Sequence, residues 1–197
     1  ADLVVHGAGR VPAIDRLDLA AANVEAGDKG VEVNAYLQST SNPKIYAAGD
    51  AADTQGAPLT PVAVFEGKVA ASNMLKGNRT KPDYSGVPSA VFTVPELTRV
   101  GMLEQDAREA GHDIRVVEND TGDWYSNLRV GESCAATKVI IDKDSDTILG
   151  AHLLGPEYGE IINFFGLAIR LGLTTSDLKK MVSVYPSVGS DLGSMLS

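Results

Sequence analysis

A stretch rich in proline, glycine and charged residues divides this chain in two, and it constrains the possible fold more than any other feature. The stretch covers residues 78–88 and carries no apolar periodicity. Segments of this composition are typical of linkers between domains. The sequence therefore predicts one unit over roughly residues 1–80 and a second over roughly residues 85–197.

Strand patterns and one helix pattern alternate in the first unit. Strands are predicted at residues 3–6, 31–34 and 44–48. The last of these is a continuous run of small apolar residues, typical of a strand covered on both faces, and it ends at Gly49-Asp50. This alternation predicts an α/β layer.

The helix of the first unit is predicted to begin at Thr60, which can cap it, with Pro61 in its first turn. Apolar residues keep helical spacing as far as residue 75, and Gly77 then ends the helix. The apolar positions are Val62, Phe65, Val69 and Met74.

The second unit has an α+β pattern. Strands are predicted at residues 90–94, 114–118, 138–141 and 148–154, the last two as a hairpin, and helices at 103–110, 157–171 and 175–181. The helix over 157–171 is apolar around most of its circumference, so it must be buried on more than one side. We therefore expect a charged substitution at Phe164 or Phe165 to disrupt folding or assembly.

The overall composition excludes several classes of function. The net charge of -9, from 26 acidic and 17 basic residues, argues against a nucleic-acid partner, which clustered Lys and Arg would have to bind. The chain has neither an apolar stretch of about 18 residues nor a signal-peptide pattern, so we expect no membrane association and a cytoplasmic location. Cys134 is the single cysteine and cannot form an internal disulfide or a redox pair. We expect it to be half-buried in a strand.

No metal site is predicted. The three histidines, His6, His112 and His152, are far apart in sequence and have no carboxylate or thiol at ligand spacing. Residues 142–146 resemble the opening of a calcium loop, but the glycine and glutamate that such a loop requires are replaced by Thr147 and Leu153. A polar hairpin turn is the favoured interpretation.

Two glycine-containing turns could bind a nucleotide cofactor. Gly7-Ala8-Gly9 follows a strand pattern, but Pro12 stands where a phosphate-binding loop needs its third glycine, so we reject that interpretation. At the second turn, Gly49-Asp50 places a carboxylate after a strand, and a helix begins shortly afterwards at Leu59-Thr60-Pro61. Each piece alone is as compatible with an ordinary turn or a capped helix as it is with a cofactor site. Their pairing favours the cofactor site.

A series of motifs in a fixed order resembles the C-terminal signatures of the pyridine nucleotide-disulphide oxidoreductases, the family of glutathione reductase, dihydrolipoamide dehydrogenase and mercuric reductase. The resemblance covers essentially the whole chain. The motifs are Gly9-Arg10-Val11-Pro12, Pro43-Lys44-Ile45-Tyr46-Ala47-Ala48-Gly49-Asp50, Leu59-Thr60-Pro61-Val62-Ala63, Val91-Phe92-Thr93-Val94-Pro95-Glu96, Gly150-Ala151-His152-Leu153-Leu154-Gly155 and Tyr185-Pro186-Ser187.

The resemblance implies an α+β dimerisation domain with an antiparallel sheet, preceded by the C-terminal part of an α/β FAD-binding domain. Residues 1–12 would end an NAD(P)-binding domain, residues 13–82 would belong to the FAD-binding domain, and residues 83–197 would form a homodimer interface. The chain is then the C-terminal portion of an FAD- and NAD(P)H-dependent oxidoreductase. The alternative is a non-catalytic dimerisation module when the chain is isolated.

The resemblance also implies roles for individual residues. Asp50 would hold the ribityl chain of FAD, Thr60 would face the pyrimidine end of the flavin, and Val91 would lie near the nicotinamide. The other residues implied to bind the cofactor are Gly49, Ala51, Leu59, Pro61 and Ala63.

The chain departs from the family at the C-terminal active-site segment. Where relatives have a general acid/base His, oriented by a Glu, this sequence has Tyr185 and Ser190, with Asp191 one residue later. Tyr185 and Asp191 are therefore the candidate catalytic residues. The ADP-binding motif and the redox cysteine pair of the family do not occur in this sequence. We expect the isolated chain to be inactive and to bind FAD weakly or not at all.

Overall fold

The computed structural model describes residues 1–197, which form two compact units, Ala1–Tyr84 and Ser85–Ser197. The boundary falls within the proline- and glycine-rich stretch at residues 78–88.

Unit 1 consists of a small sheet, one long helix and several tight turns. Strands β1 (Ala26–Gly27), β2 (Gly30–Glu32) and β3 (Ala52–Asp53) lie in that order, with β2 antiparallel to β1 and parallel to β3. Helix α1 runs over Thr60–Lys76, as the apolar spacing predicted, and Gly77 follows it. A 3-10 turn at Gly49–Ala51 leads directly into β3.

Helix α1 provides much of the core of unit 1. Val69 and Ala70 of this helix cluster with Leu37, and Tyr46 and Phe65 pack against that cluster. The predicted apolar face is correct at Val62 and Val69 and wrong at Met74, which is 62% exposed. Two polar residues, Glu66 and Asn73, lie on the buried face together with the apolar ones.

Two predicted strands of unit 1 are wrong. Residues 3–6 are exposed and have no regular structure, and residues 44–48 form only an isolated bridge between Gln38 and Tyr46. A strand requires a hydrogen-bonded neighbour. Residues 3–6 have none, and residues 45–47 bond to residues 37–39 only around that single bridge. Thr60 is also not the helix cap. The residue before the helix is Leu59, in an extended conformation, and no side chain caps this end.

Unit 2 is built on a five-stranded antiparallel sheet in the order β4-β5-β8-β7-β6. The predicted hairpin and the strand near residue 114 are confirmed, whereas β5 was not predicted. The strands are β4 (Ser89–Val91), β5 (Glu96–Gly101), β6 (Ile114–Asp120), β7 (Ala136–Asp142) and β8 (Ile148–Gly155).

Four helices accompany this sheet, and the longest confirms the prediction for residues 157–171. Gly172 ends it in the left-handed region, with φ 64. The short helix near residue 175 has Thr174 as its cap, in a capping box with Asp177. The helices are α2 (Glu104–Glu109), α3 (Tyr125–Leu128), α4 (Tyr158–Leu171) and α5 (Thr175–Leu178).

Helix α4 packs on β5 and β8 and separates its apolar residues into two stripes. Ile161, Ile162 and Phe165 are buried in the main core of unit 2. Phe164, Leu167 and Leu171 point the other way and are 38%, 53% and 61% exposed. The spacing of these three residues places them on one side of the helix. α4 is therefore buried on one side and carries an apolar stripe on the other.

No helix in the structure combines the length and the apolar character needed to cross a membrane.

Candidate functional site

The turn at Gly49–Ala51 lies against the start of α1. Gly49 adopts a φ of 66, which favours glycine. A Cβ atom at this position would lie 2.7 Å from the Cβ of Ala63. Only glycine therefore allows the turn and the helix to approach this closely. Asp50, the next residue, is exposed.

A cleft of about 510 Å³ opens beside this turn. Gly49 and Asp50 line it, together with Val62 in the first turn of α1 and Pro58 in the loop that precedes the helix. Of the predicted cofactor residues, Ala51, Leu59, Thr60, Pro61 and Ala63 lie next to the cleft in sequence without lining it. The structure thus brings the Gly-Asp turn and the helix start together at one cavity.

The N-terminus of α1 is open. Ala63 N–H donates to the carbonyl of Leu59 in the first helical hydrogen bond, at 2.9 Å. The N–H groups that precede it have no acceptor within the helix, and the helix dipole adds partial positive charge at this end. Thr60 and Pro61 are exposed here. This end of the helix can accept an electron-rich group.

Below the turn lies a buried carboxylate that the sequence analysis missed. Glu66 is 0% exposed, and its Oε2 accepts a hydrogen bond from Gly49 N–H at 2.6 Å. Its Oε1 accepts from Thr54 Oγ1 at 2.8 Å and from the hydroxyl of Tyr84 at 2.6 Å. Burial, and then the hydrogen bond to Glu66, raise the pKa of Tyr84 to about 12. One signal was available in the sequence, because Glu66 falls at helical spacing between Val62 and Val69.

In unit 2 the two candidate catalytic residues are each held by α3. The ring of Tyr185 is 74% exposed and stacks on the ring of Tyr125. The carboxylate of Asp191 accepts a short hydrogen bond from the hydroxyl of Ser126. Tyr125 and Ser126 were also missed, and no feature of the sequence pointed to these contacts.

Ser190 and Val91 complete the residues singled out from the sequence. Ser190 Oγ donates to the carbonyl of Ser187 at 2.5 Å, so this side chain closes a local turn. Val91 is the last residue of β4 and is 59% exposed.

No group of three or more His, Cys, Asp or Glu side chains is placed to hold a metal ion. The prediction that Cys134 is half-buried in a strand is wrong, since the residue is exposed in the loop before β7. Its backbone N–H donates to Glu132 Oε1 at 2.7 Å. In a sheet this N–H would donate to a neighbouring strand, whereas here it donates to the side chain of the loop residue Glu132.

Comparison with known families assigns the two parts of the chain. Residues 87–195 match the pyridine nucleotide-disulphide oxidoreductase dimerisation domain, and residues 1–67 match the pyridine nucleotide-disulphide oxidoreductase profile. The chain belongs to the pyridine nucleotide-disulphide oxidoreductase family. This family uses FAD and NAD(P)H, and the chain carries its α+β dimerisation domain.

Two bacterial relatives illustrate the range of this oxidoreductase family. An uncharacterized 19.7 kDa protein in the mercuric resistance operon of Staphylococcus aureus is 51% identical over 180 residues, which are 91% of this chain and 100% of that protein. Mercuric reductase of Staphylococcus aureus is 35% identical over 98% of this chain and 35% of its own length.

The fold is that of a solved oxidoreductase of the same family. The Cu(II) complex of the HOCl-induced flavoprotein disulfide reductase RclA from Escherichia coli has a TM-score of 0.85 and 30% identity, over 96% of this chain and 43% of the RclA chain. The present chain thus spans the whole of one relative and less than half of each of these two reductases.

Proposed function

We propose that this chain supplies the C-terminal part of an FAD site and the homodimer interface of an FAD- and NAD(P)H-dependent oxidoreductase that acts on a disulfide or a similar acceptor. The observation that carries the proposal is the shared cleft of the Gly49-Asp50 turn and the start of α1. Within it, residues 1–12 would end the NAD(P)-binding domain, residues 13–82 would belong to the FAD-binding domain, and residues 83–197 would form the interface.

The residues at the cleft fit one part of FAD. The carboxylate of Asp50 is exposed and can accept hydrogen bonds from the hydroxyls of a ribityl chain, and Gly49 allows a close approach. The N–H groups at the start of α1, near Thr60, would favour negative charge at the pyrimidine end of a flavin ring. Ala51, Leu59, Pro61 and Ala63 would shape this side of the site. Bound FAD would supply the hydride-accepting chemistry.

The residues of unit 2 would act at the nicotinamide and at the acceptor that is reduced. Val91 would lie near the nicotinamide. A phenol keeps its proton at neutral pH, so Tyr185 would donate a hydrogen bond to a thiolate or to another acceptor and would not remove a proton as a histidine does. Asp191 already accepts a hydrogen bond from Ser126 and would hold the segment that carries Tyr185.

The exposed stripe on α4 supports the homodimer. Phe164, Leu167 and Leu171 form a contiguous apolar row, and burial against a second copy would remove it from water. The match to the dimerisation domain covers the whole of this helix. We propose no nucleic-acid or membrane partner and a cytoplasmic location, which suits a chain with a single, unpaired cysteine.

A second candidate function is a non-catalytic dimerisation module. It is favoured by the 19.7 kDa relative, because a chain of this size covers that protein over its whole length. In this case the isolated chain forms a dimer and does not retain flavin.

Analytical ultracentrifugation of the purified chain, together with its absorption spectrum, tests these proposals. We expect a dimer without stoichiometric flavin absorbance at roughly 450 nm, and no NAD(P)H oxidation. A monomer would contradict the proposed interface. A dimer that retains stoichiometric FAD would contradict the expectation that the site is incomplete, and it would exclude the second candidate function.

A further inference from the structure

Glu66 is the most deeply buried charged residue at the cleft, and every hydrogen bond that it receives comes from a neutral group. The donors are the backbone N–H of Gly49, the hydroxyl of Thr54 and the hydroxyl of Tyr84. Burial of a carboxylate costs several kcal/mol, and its hydrogen bonds to these three donors have to offset that cost. What the carboxylate provides beyond stability is a fixed acceptor for three separate segments of the chain.

These three segments meet at the two oxygens of one side chain. Oε2 holds the turn Gly49–Ala51, and Oε1 holds the loop at Thr54 and the last residue of unit 1, Tyr84. The space around Oε1 is filled, because a Cβ atom at Gly56 would lie 2.7 Å from it. A buried acceptor with this packing has little freedom to move, so the groups that it binds are fixed in position relative to one another.

The position of Asp50 depends on this arrangement. The N–H of Gly49 donates to Glu66 Oε2, and Asp50 is the next residue in the chain. Its carboxylate is exposed toward the cleft, so nothing in its own surroundings fixes the direction in which it points. The backbone of the turn sets that direction, and the bond from Gly49 to Glu66 holds the backbone.

We propose that Glu66 is the positioning residue of the Gly49-Asp50 turn, fixing through Gly49 N–H the place from which Asp50 contacts a flavin ribityl chain. The flavin part of this inference rests on the proposed function. The link from Glu66 to Gly49 does not.

The test is amide hydrogen exchange on the full ¹⁵N-labelled chain in four forms: wild type, Glu66→Leu, Glu66→Gln and Tyr84→Phe. Glu66→Leu replaces the carboxylate with an apolar side chain and removes both acceptors, whereas Glu66→Gln keeps the shape of the side chain. A hydrogen bond to a charged group contributes about 1.5–3 kcal/mol, so Gly49 should exchange at least about tenfold faster in this variant. Glu66→Gln should restore slow exchange, because the amide oxygen can accept from Gly49 while the NH₂ group donates to the hydroxyl oxygens. Tyr84→Phe should leave Gly49 unchanged.

Two readouts separate positioning from a merely structural role. In Glu66→Leu, exchange at Gly49 should rise more than exchange at residues in the middle of α1, which reports the overall stability. The Gly49 amide proton of the wild type should also resonate at low field because of its short bond to a carboxylate. Equal Gly49 exchange in wild type and Glu66→Leu would overturn the proposal. If Glu66→Leu does not fold, a Gly49 proton at an ordinary amide position in the wild type would overturn it.

Addition of FAD at millimolar concentration tests the part of the proposal in which Asp50 contacts a flavin. We expect the amide signals of Asp50 and Ala51 to shift in the wild type and in Glu66→Gln, and not in Glu66→Leu. A shift of the same size in Glu66→Leu would overturn the positioning of Asp50. If the wild type shows no shift while Gly49 protection still depends on Glu66, the proposed FAD site fails and the role of Glu66 in the turn stands.

Discussion

The ring of Tyr185 stacks on the ring of Tyr125, with the two centroids 6.2 Å apart and the planes inclined by 21°. The residue after Tyr125 is Ser126, whose hydroxyl donates to the carboxylate of Asp191. Two consecutive residues of α3 therefore hold the two candidate catalytic residues: Tyr185, which precedes a 3-10 turn at Val188–Asp191, and Asp191, the last residue of that turn. The short helix α3 supports the C-terminal segment at both of these points.

Replacement of Tyr125 should loosen this segment without unfolding unit 2. Stacked aromatic pairs contribute about 0.5–1.5 kcal/mol, and because both rings are largely exposed we expect Tyr125→Ala to lie at the low end. Hydrogen exchange should rise at residues 183–190 and stay unchanged in the sheet. Tyr125→Phe is the matched control and should retain the wild-type pattern. Identical exchange in all three proteins would show that the stack does not hold the segment.

Substitutions at Phe164 and Phe165 should have different effects although the two residues are neighbours in the chain. A substitution at Phe164 should affect assembly, and one at Phe165 should affect stability. Phe164 lies on the exposed stripe of α4, so Phe164→Glu should convert the proposed dimer to a folded monomer whose circular dichroism spectrum matches that of the wild type. Sedimentation equilibrium measures the change. Asn163→Glu, which adds the same charge at an exposed position beside the stripe, is the control and should remain dimeric. A Phe164→Glu protein that still forms a dimer would exclude this stripe from the interface.

Phe165 is 0% exposed and lies in the main core of unit 2. Phe165→Ala should therefore lower the free energy of unfolding by about 3–5 kcal/mol, because it leaves a cavity between α4 and the sheet. Urea denaturation followed by tryptophan fluorescence measures this change, since Trp124 packs against the same core. A loss below about 1 kcal/mol would contradict this placement of Phe165.

The turn between β7 and β8 should make stability depend on pH in the acid range. Hydrogen bonds from Ser145 and then from His112 lower the pKa of Asp142 from its ordinary value of 3.8 to about 2. A lowered carboxyl pKa stabilises the fold above the unfolded value, and this contribution is lost as the pH falls through the folded value. The difference in urea midpoint between wild type and Asp142→Asn should therefore shrink between pH 3.8 and about 2.

The control for that experiment is Asp144→Asn. This substitution removes a carboxylate of the same turn, and that carboxylate makes no hydrogen bond in the structure. Its difference from the wild type should stay nearly constant over this pH range. A difference for Asp142→Asn that stays just as constant would contradict the lowered pKa.

Tyr84 offers a test in the alkaline range. Its pKa is raised from 10.0 to about 12, first by burial and then by the hydrogen bond to Glu66. A raised tyrosine pKa stabilises the fold below pH 10.0, and this contribution disappears as the pH rises toward about 12. The difference in tyrosinate absorbance between wild type and Tyr84→Phe isolates the titration of Tyr84. We expect its midpoint near 12 in the wild type, and a lower midpoint when the same difference is measured in a Glu66→Leu background. A midpoint near 10 in the wild type would contradict this.

The parts of the fold that the sequence predicted are those whose pattern is satisfied locally. Helix α4 was predicted because its apolar residues recur at helical spacing and Gly172 marks its end. The hairpin of β7 and β8 is predicted because both strands are apolar and the residues between them are polar. Strand β5 was missed, since Glu96 and Arg99 interrupt its apolar residues and its pairing with β8 is far away in sequence.

The incorrect predictions share a different cause. The run at residues 44–48 has the composition of a buried strand, but composition cannot supply the neighbouring strands that such a run needs. At the candidate site, the turn at Gly49-Asp50 and the helix start were predicted from residue types. The contacts of Glu66 with Tyr84 and of Tyr125 with Tyr185 were not, because they join residues that only the tertiary fold brings together.

The strand order of unit 2 has a consequence for the time at which this domain can form during synthesis. Strand β5 leaves the ribosome early and pairs with β4, but its other neighbour is β8, which ends at Gly155. Pairings between distant segments form slowly because a long loop has to close first. The edge of β5 therefore stays open while the ribosome adds β6 and β7, and the sheet closes in one step once β8 emerges. Ribosome-bound chains in which β8 has not yet emerged from the exit tunnel should accordingly be sensitive to protease throughout unit 2, whereas chains in which both β8 and α4 have emerged should resist it.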